Sequence, residues 1–417
     1  MGLNDTVSSE RIHIGFFGMR NAGKSSLVYA IIGQQLSVVS DVKGTTTDPV
    51  KKAMELLPLG PVVIIDTPGL DDEGELGSLR VQKAKQVLAS TDIAVLVVDG
   101  TVGMQSLDKE LVEELVKRKI PYVVVYNKGD LTETCTDETI RAEEDGLAGN
   151  GNCNVIRSYV HHVSATTGLG IHELKEKLGS FAASVKKEKV LVSDLIEEGD
   201  IVVLVTPIDE SAPKGRLILP QQLVIRDILD KHGIVVTCQD TELPQILKNL
   251  SKNPKMVITD SQVFGRVSKD VPKDIPLTSF SILMARYKGD LLTLVQGAVA
   301  LSGINEGDKV LISEGCTHHR QCNDIGTVKM PNWIREFTGV EPEFIFTSGV
   351  EFPEDLSKYT VIVHCGGCTL NEAEMQNRIR RAKEAGVPIV NYGIAIAHMN
   401  GILKRSVEMF EDVNTLL

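Results

Sequence analysis

The feature that most constrains this chain is an octapeptide, Gly18-Met19-Arg20-Asn21-Ala22-Gly23-Lys24-Ser25, set between an apolar stretch at 11–17 and a helical pattern at 24–32. The spacing G-x-x-x-x-G-K-S lets backbone N–H groups and a helix N-terminus gather around phosphate. Lys24 then reaches the β/γ oxygens and the Ser25 hydroxyl a Mg²⁺ ion. A loop of this kind works where a buried strand feeds a helix, so it commits the first part of the chain to an α/β layer. Apolar segments at 61–66, 93–99, 122–126 and 156–164, with helical patterns such as 107–119 between them, extend that layer to a mostly parallel sheet covered on both faces.

Three further short motifs follow strands in order. Asp66-Thr67-Pro68-Gly69 ends the strand VVII, where the carboxylate can hold Mg²⁺ through water and the Gly69 N–H can sense a γ-phosphate. Asn127-Lys128-Gly129-Asp130 follows VVVY, and Asp130 can accept two hydrogen bonds from the N1–H and N2–H₂ edge of guanine, a pair of donors that adenine lacks. Ser164-Ala165-Thr166 ends another strand, as a backbone contact to the guanine carbonyl requires. Gly18, Asn21, Ala22, Gly23, Lys24, Ser25, Ser26, Asp66, Gly69, Asn127, Lys128, Asp130, Ser164 and Ala165 are therefore the expected GTP/GDP contacts. This part resembles the translation-factor-type GTPases, in particular the TrmE-like and Era-like branch. The resemblance implies a switch threonine in Gly44-Thr45-Thr46-Thr47-Asp48 that completes the Mg²⁺ shell; the branch's GTTRD pattern points to Thr46, although three threonines stand together and Thr47 replaces an Arg. Leu70 stands where Ras-like proteins orient water with a Gln, and a leucine cannot do that. The branch implies instead a K⁺ ion ligated by Asn21, with Asn21, Lys24, Thr46, Asp66 and Gly69 as catalytic residues and slow, K⁺-stimulated GTP hydrolysis. Asn21 also suits a tight loop on backbone grounds alone. The acidic stretch 70–78 is the expected mobile switch.

Beyond a charged run at 186–189, two smaller α/β blocks follow, separated by a proline-containing segment at 269–276 that reads as a linker. The chain thus reads as an N-terminal P-loop GTPase domain at 1–185, a second α/β domain at 186–276 and a third at 277–417, with a long helix expected at 284–301. A formal charge of −12 gives no footprint for nucleic acid, which needs clustered Lys and Arg. No apolar run reaches the ~18 residues of a membrane span. The first residues lack the pattern of a secretory signal, so a cytoplasmic protein is expected; the formal myristoylation pattern of Met1-Gly2 is read as coincidence.

Seven cysteines in a chain without a signal argue for metal or redox chemistry over disulfides. Cys316-Thr317-His318 follows the strand KVLIS, and His364-Cys365-Gly366-Gly367-Cys368 ends the strand TVIV. Open α/β sheets place sites beyond the carboxyl ends of strands, so these two ends are expected to bring Cys316, Cys365 and Cys368 together. Three thiolates with imidazoles suit zinc or an iron-sulfur cluster, with His318 and His364 as further candidate ligands. His319 and Cys322 are decoys or alternatives, and Cys135, Cys153 and Cys238 lack partners. The combination resembles the HydF family, GTPases of FeFe-hydrogenase maturation, over the whole chain. The resemblance implies a 4Fe-4S cluster on Cys316, Cys365 and Cys368 with a fourth position open or weakly held, and a middle domain that dimerises. It also implies a role as scaffold or carrier of the diiron subcluster precursor, with the radical-SAM maturases HydE and HydG and apo FeFe-hydrogenase as partners. Two rivals stand beside it: a TrmE-like tRNA-modification GTPase with a zinc site, and an iron-sulfur carrier whose nucleotide domain turns over negligibly.

Overall fold

The structure is a computed structural model and describes residues 7–33, 49–70, 74–131, 160–181, 190–208, 217–316 and 324–414. The expected switch threonines Thr45, Thr46 and Thr47, together with His318, His319, Cys322, Cys135 and Cys153, lie outside the described residues. The chain forms two compact units, Met1–Lys187 and Glu188–Leu417.

The first unit is built on six strands: β1 (Ile12–Phe17), β2 (Val50–Leu56), β3 (Gly60–Asp66), β4 (Ile93–Asp99), β5 (Tyr122–Asn127) and β6 (Val160–His162). Their order is β2-β3-β1-β4-β5-β6, parallel throughout except for β2, which runs antiparallel to β3 at the edge. β1 is buried along its whole length, as an unbroken apolar run between two covered faces should be. One face packs Phe16, Leu27, Ile64 and Leu174, the other Phe17, Ile65, Leu88 and Leu115. Because β1 lies between β3 and β4, with the chain building outward first on the β3 side and then, after β3, on the β4 side, the loop after β1 opens at the switch point of the sheet, where ligands of such folds bind.

The second unit holds two four-stranded parallel sheets. One has β7 (Ile201–Val205), β8 (Ile234–Cys238), β9 (Met256–Thr259) and β10 (Leu277–Ser279) in the order β10-β9-β7-β8. The other has β11 (Lys309–Glu314), β12 (Glu343–Ser348), β13 (Val361–His364) and β14 (Ile389–Asn391) in the order β12-β11-β13-β14. A continuous apolar cluster takes in Val202 and Ile258 of the first sheet and Leu311 and Ile362 of the second. The segment at 269–276 is not a loose linker. Val271 and Ile275 are buried, and Arg405 donates to the carbonyls of Val271, Pro272 and Ile275. The helix expected at 284–301 is two helices, Phe280–Lys288 and Leu291–Ala298. Asp290 caps the second by accepting from Thr293 N, which gives the chain a new start after Gly289.

Candidate functional site

Lys24 opens the helix Lys24–Ile32, and its ammonium is buried, donating to the carbonyls of Gly18 at 3.0 Å and Met19 at 2.9 Å. The loop is thus wound around the lysine, with the first-turn residues Lys24, Ser25 and Ser26 at a helix N-terminus that favours anions. Gly23 holds φ +87°, and a Cβ there would stand 2.2 Å from Asn127 Nδ2, so no larger residue fits. Asn21 is solvent-exposed at φ +64°, a left-handed conformation that Asn tolerates better than most residues.

Ser25 Oγ donates to Asp66 Oδ2 at 2.6 Å, while Asp66 Oδ1 is buried with no hydrogen-bond partner among the described residues. Burial raises the Asp66 pKa, with the Ser25 hydrogen bond and Lys24 pulling the other way. A buried carboxylate oxygen beside a serine hydroxyl is the donor set a hard cation accepts, so these two residues fit Mg²⁺. Next along the chain, Thr67 Oγ1 donates to Phe16 O at 2.6 Å. Leu70 N donates to Gly18 O and Leu70 O accepts from Arg20 N, at 3.1 and 3.2 Å. Leu70 itself is buried among Phe17, Val63 and Ile65, which explains an apolar residue here. Within the expected switch at 70–78, the backbone is helical from Gly74 onward.

At the guanine end, Asn127 Nδ2 donates to Ala22 O at 3.1 Å and Asn127 Oδ1 accepts from Ala165 N at 3.1 Å. One buried side chain therefore ties the phosphate loop to the Ser164-Ala165 turn, and Ser164 Oγ closes that turn by accepting from Thr167 N. Lys128, at φ +66°, pairs with Asp99 at 2.5 Å, and Asp130 is exposed. Asp99 was not singled out from sequence. Burial would raise its pKa, but the hydrogen bonds from Lys128 and Thr101 outweigh that and lower it.

In the second unit, β11 and β13 are adjacent, with Ser313 opposite His364, so the ends that carry Cys316 and Cys365 are neighbours. Cys365 Sγ accepts from Gly315 N at 3.0 Å and from Gly367 N at 3.4 Å. Gly367 holds φ +63°, and a Cβ there would meet Met375 Sδ at 2.7 Å, so the curl between the two cysteines needs glycine. Burial first, then the neighbouring Cys368 and Glu314, push the Cys365 thiol up to about 11. Burial also raises Cys368, while Lys288 draws it back. Cys316 is half-buried at the end of its strand. Among the described residues, no three His, Cys, Asp or Glu side chains are grouped to hold a metal ion, so the expected meeting of three thiols is not seen there. Two thiols on one loop, one of them accepting backbone N–H groups, nonetheless suit a soft, thiophilic metal centre.

His364 takes a different place from the ligand role considered for it. Its Nδ1 lies 2.7 Å from Cys365 O and its Nε2 3.0 Å from Arg378 Nη1. A carbonyl only accepts and a guanidinium only donates, so the ring is neutral, protonated on Nδ1, with both nitrogens engaged. Burial, and then Arg378, lower its pKa to about 3. Arg378 is itself fully buried, pairing with Glu374 at 2.8 Å and donating to Gly349 O and Ser313 Oγ. Sequence reading missed this layer. The i,i+4 spacing of Glu374 and Arg378 was visible, but only packing makes the pair internal.

Residues 13–128 match the family model of the 50S ribosome-binding GTPase, residues 191–289 the hydrogen maturase F dimerization domain, and residues 292–409 the hydrogen maturase F tetramerization domain. The tRNA modification GTPase MnmE of Shewanella frigidimarina is 35% identical over 179 residues, 42% of this chain and 36% of that protein. GTPase Der of Kosmotoga olearia is 33% identical over 175 residues, 40% of this chain and 38% of that protein. The chain thus spans well under half the length of these curated relatives. The crystal structure of Aquifex aeolicus Era aligns over 82% of this chain and 94% of its own, at 16% identity and a TM-score of 0.35. The dimerization and tetramerization matches support homo-oligomerisation. Among the described residues no helix is long and apolar enough to cross a membrane. With a GTPase domain at 13–128 and two domains specific to one family that together span just over half of the chain, the chain belongs to the hydrogen maturase F family.

Proposed function

We propose that this chain is a GTP-hydrolysing scaffold or carrier that binds a 4Fe-4S cluster and assembles or delivers the diiron subcluster precursor to FeFe-hydrogenase. The observation that carries the cluster reading is the Cys365 sulfur, which accepts two backbone N–H groups, one from Gly315 after β11 and one from Gly367 after β13. These donors work against the burial that holds the metal-free thiol neutral, and they are placed to support the anionic sulfur that binding a metal would create. In this reading Cys316, Cys365 and Cys368 are the cluster ligands and the fourth position is open or weakly held. His364 orients the Cys365 carbonyl; His318 remains a candidate ligand. When bound, the cluster would supply an exchangeable iron position; the residues around it hold the loop.

In the GTPase domain, Lys24 and the helix N-terminus bind the phosphates, Ser25, Thr46 and Asp66 hold Mg²⁺, and Asn21 holds K⁺. With Leu70 buried, hydrolysis depends on that cation and is slow without it. GTP and GDP forms then differ in affinity for the maturases HydE and HydG and for apo-hydrogenase, since a nucleotide can shift only equilibria to which its two forms contribute differently. We further propose a cytoplasmic homodimer or higher oligomer, with residues 186–276 dimerising and 277–417 carrying the cluster. Anaerobic purification with iron, sulfide and zinc analysis tests the cluster. Iron and sulfide that are lost in Cys365→Ala support it; stoichiometric zinc in a colourless protein overturns it. For turnover, equal GTP hydrolysis in K⁺ and Na⁺, in the wild type and in Asn21→Ala alike, overturns the K⁺ role.

A further inference from the structure

The helix Phe280–Lys288 ends on a lysine that is only 1% exposed. Lysines ordinarily lay their methylenes along apolar surface and keep the ammonium in water, because removing it from water costs several kcal/mol unless nearby groups offset the loss. Lys288 Nζ instead donates to Leu370 O at 3.0 Å and Cys368 O at 3.5 Å. Its own carbonyl and that of Gly289 accept from Gln376 Nε2 at 3.2 and 2.8 Å. Gln376 lies on the helix Glu372–Glu384, into which the cysteine loop runs. The backbone of Lys288 is therefore fixed to the body of that helix, and its ammonium to the turn just before the helix begins. A methionine would fill the same space without the desolvation, so packing alone does not call for the charge.

We propose that Lys288 is the fixed cation of the cysteine loop, a positioning residue that holds the turn from Cys368 to Leu370 through two carbonyls and sets a positive charge against the sulfur carried there. The proposal rests on the cluster reading for the part that concerns bound iron. Reducing a thiolate-held cluster adds negative charge, and a buried cation nearby stabilises the reduced form more than the oxidised one. Removing the charge therefore lowers the reduction potential.

The full chain is compared with Lys288→Met, Lys288→Gln and Lys288→Arg. In cluster-free protein, hydrogen exchange at the amides of Gly367 to Leu370 reads the turn directly. Lys288→Met is expected to speed it about tenfold, with Lys288→Arg staying near wild type. In protein reconstituted with iron and sulfide, a redox titration followed by electron paramagnetic resonance reads the charge. Lys288→Gln, polar but neutral and the variant more certain to fold, is expected to disfavour reduction about tenfold, which is about 59 mV for one electron. Lys288→Arg is expected to restore the wild-type potential. Wild-type exchange in Lys288→Met overturns the positioning role, and a wild-type potential in Lys288→Gln overturns the electrostatic one. If the wild type takes up no iron and sulfide, the cluster reading falls and the electrostatic role with it, while the exchange data still judge the turn.

Discussion

His364 shows at the scale of one residue how a motif can be read correctly in position and differently in role. Its place beside Cys365 suggested a ligand, because imidazole next to thiol is a metal-site pattern in any sequence. What the sequence could not carry is Arg378, fourteen positions on, whose guanidinium takes the only lone pair the ring has left. A histidine buried neutral must gain a proton on unfolding once the pH is below its ordinary value. The folded pKa is lowered, from 6.5 to about 3. The unfolded chain therefore binds more protons between those values, and stability is fully present above pH 6.5 and falls as pH falls toward 3. For this one group the slope approaches about 1.4 kcal/mol per pH unit. Denaturant unfolding of metal-free protein between pH 7.5 and about 5 should show a steeper loss in wild type than in His364→Gln. Equal slopes would mean that the ring is not neutral and buried in solution. By contrast, the motif spacing alone singled out Lys24, Ser25 and Asp66, and the structure draws Lys24 into its loop and Ser25 onto Asp66, because a phosphate-binding loop constrains residue type and spacing together and leaves little to packing.

Elements were legible where burial makes the sequence uniform. β1, β4 and β5 are apolar on both faces and stand where the apolar runs predicted them. β2 went unread: with its two lysines and largely exposed residues it is an edge strand whose pairing with β3 is fixed by the partner and not by its own pattern. The helix Glu372–Glu384 was read in place, but its interior face was not, because Glu374 and Arg378 look like a solvated i,i+4 pair and are buried instead. Breaking one half of such a pair leaves a charge stranded in a medium that cannot solvate it, at a cost of about 3 to 5 kcal/mol, whereas replacing both with apolar residues of similar volume is far milder. Arg378→Met and Glu374→Met should each lower unfolding stability by about that much, and the two together should recover most of the loss. A double variant as unstable as the sum of the single ones would show that the two side chains act separately, Arg378 through Gly349 and His364 alone.

Across the whole molecule, the division into Met1–Lys187 and Glu188–Leu417 gives each unit apolar clusters of its own among the described residues. A charged run at 186–189 interrupts the α/β pattern of the sequence, and the first unit ends at Lys187. The boundary near 276 is of another kind: the core runs through it from Leu191 to Val413, a continuity that depends on side chains far apart in the chain. Separate cores predict separate unfolding. In calorimetry of the full chain, GDP with Mg²⁺ binds only the unit that contains Lys24, Asp66 and Asn127, and mass action at a hundred times the dissociation constant adds about 2.7 kcal/mol to that unit alone. The nucleotide-sensitive transition should move up by several degrees while the other stays in place. If both moved together, the binding energy would be shared between the units, and the coupling of nucleotide state to the cysteine loop would already be present in the chain without any partner.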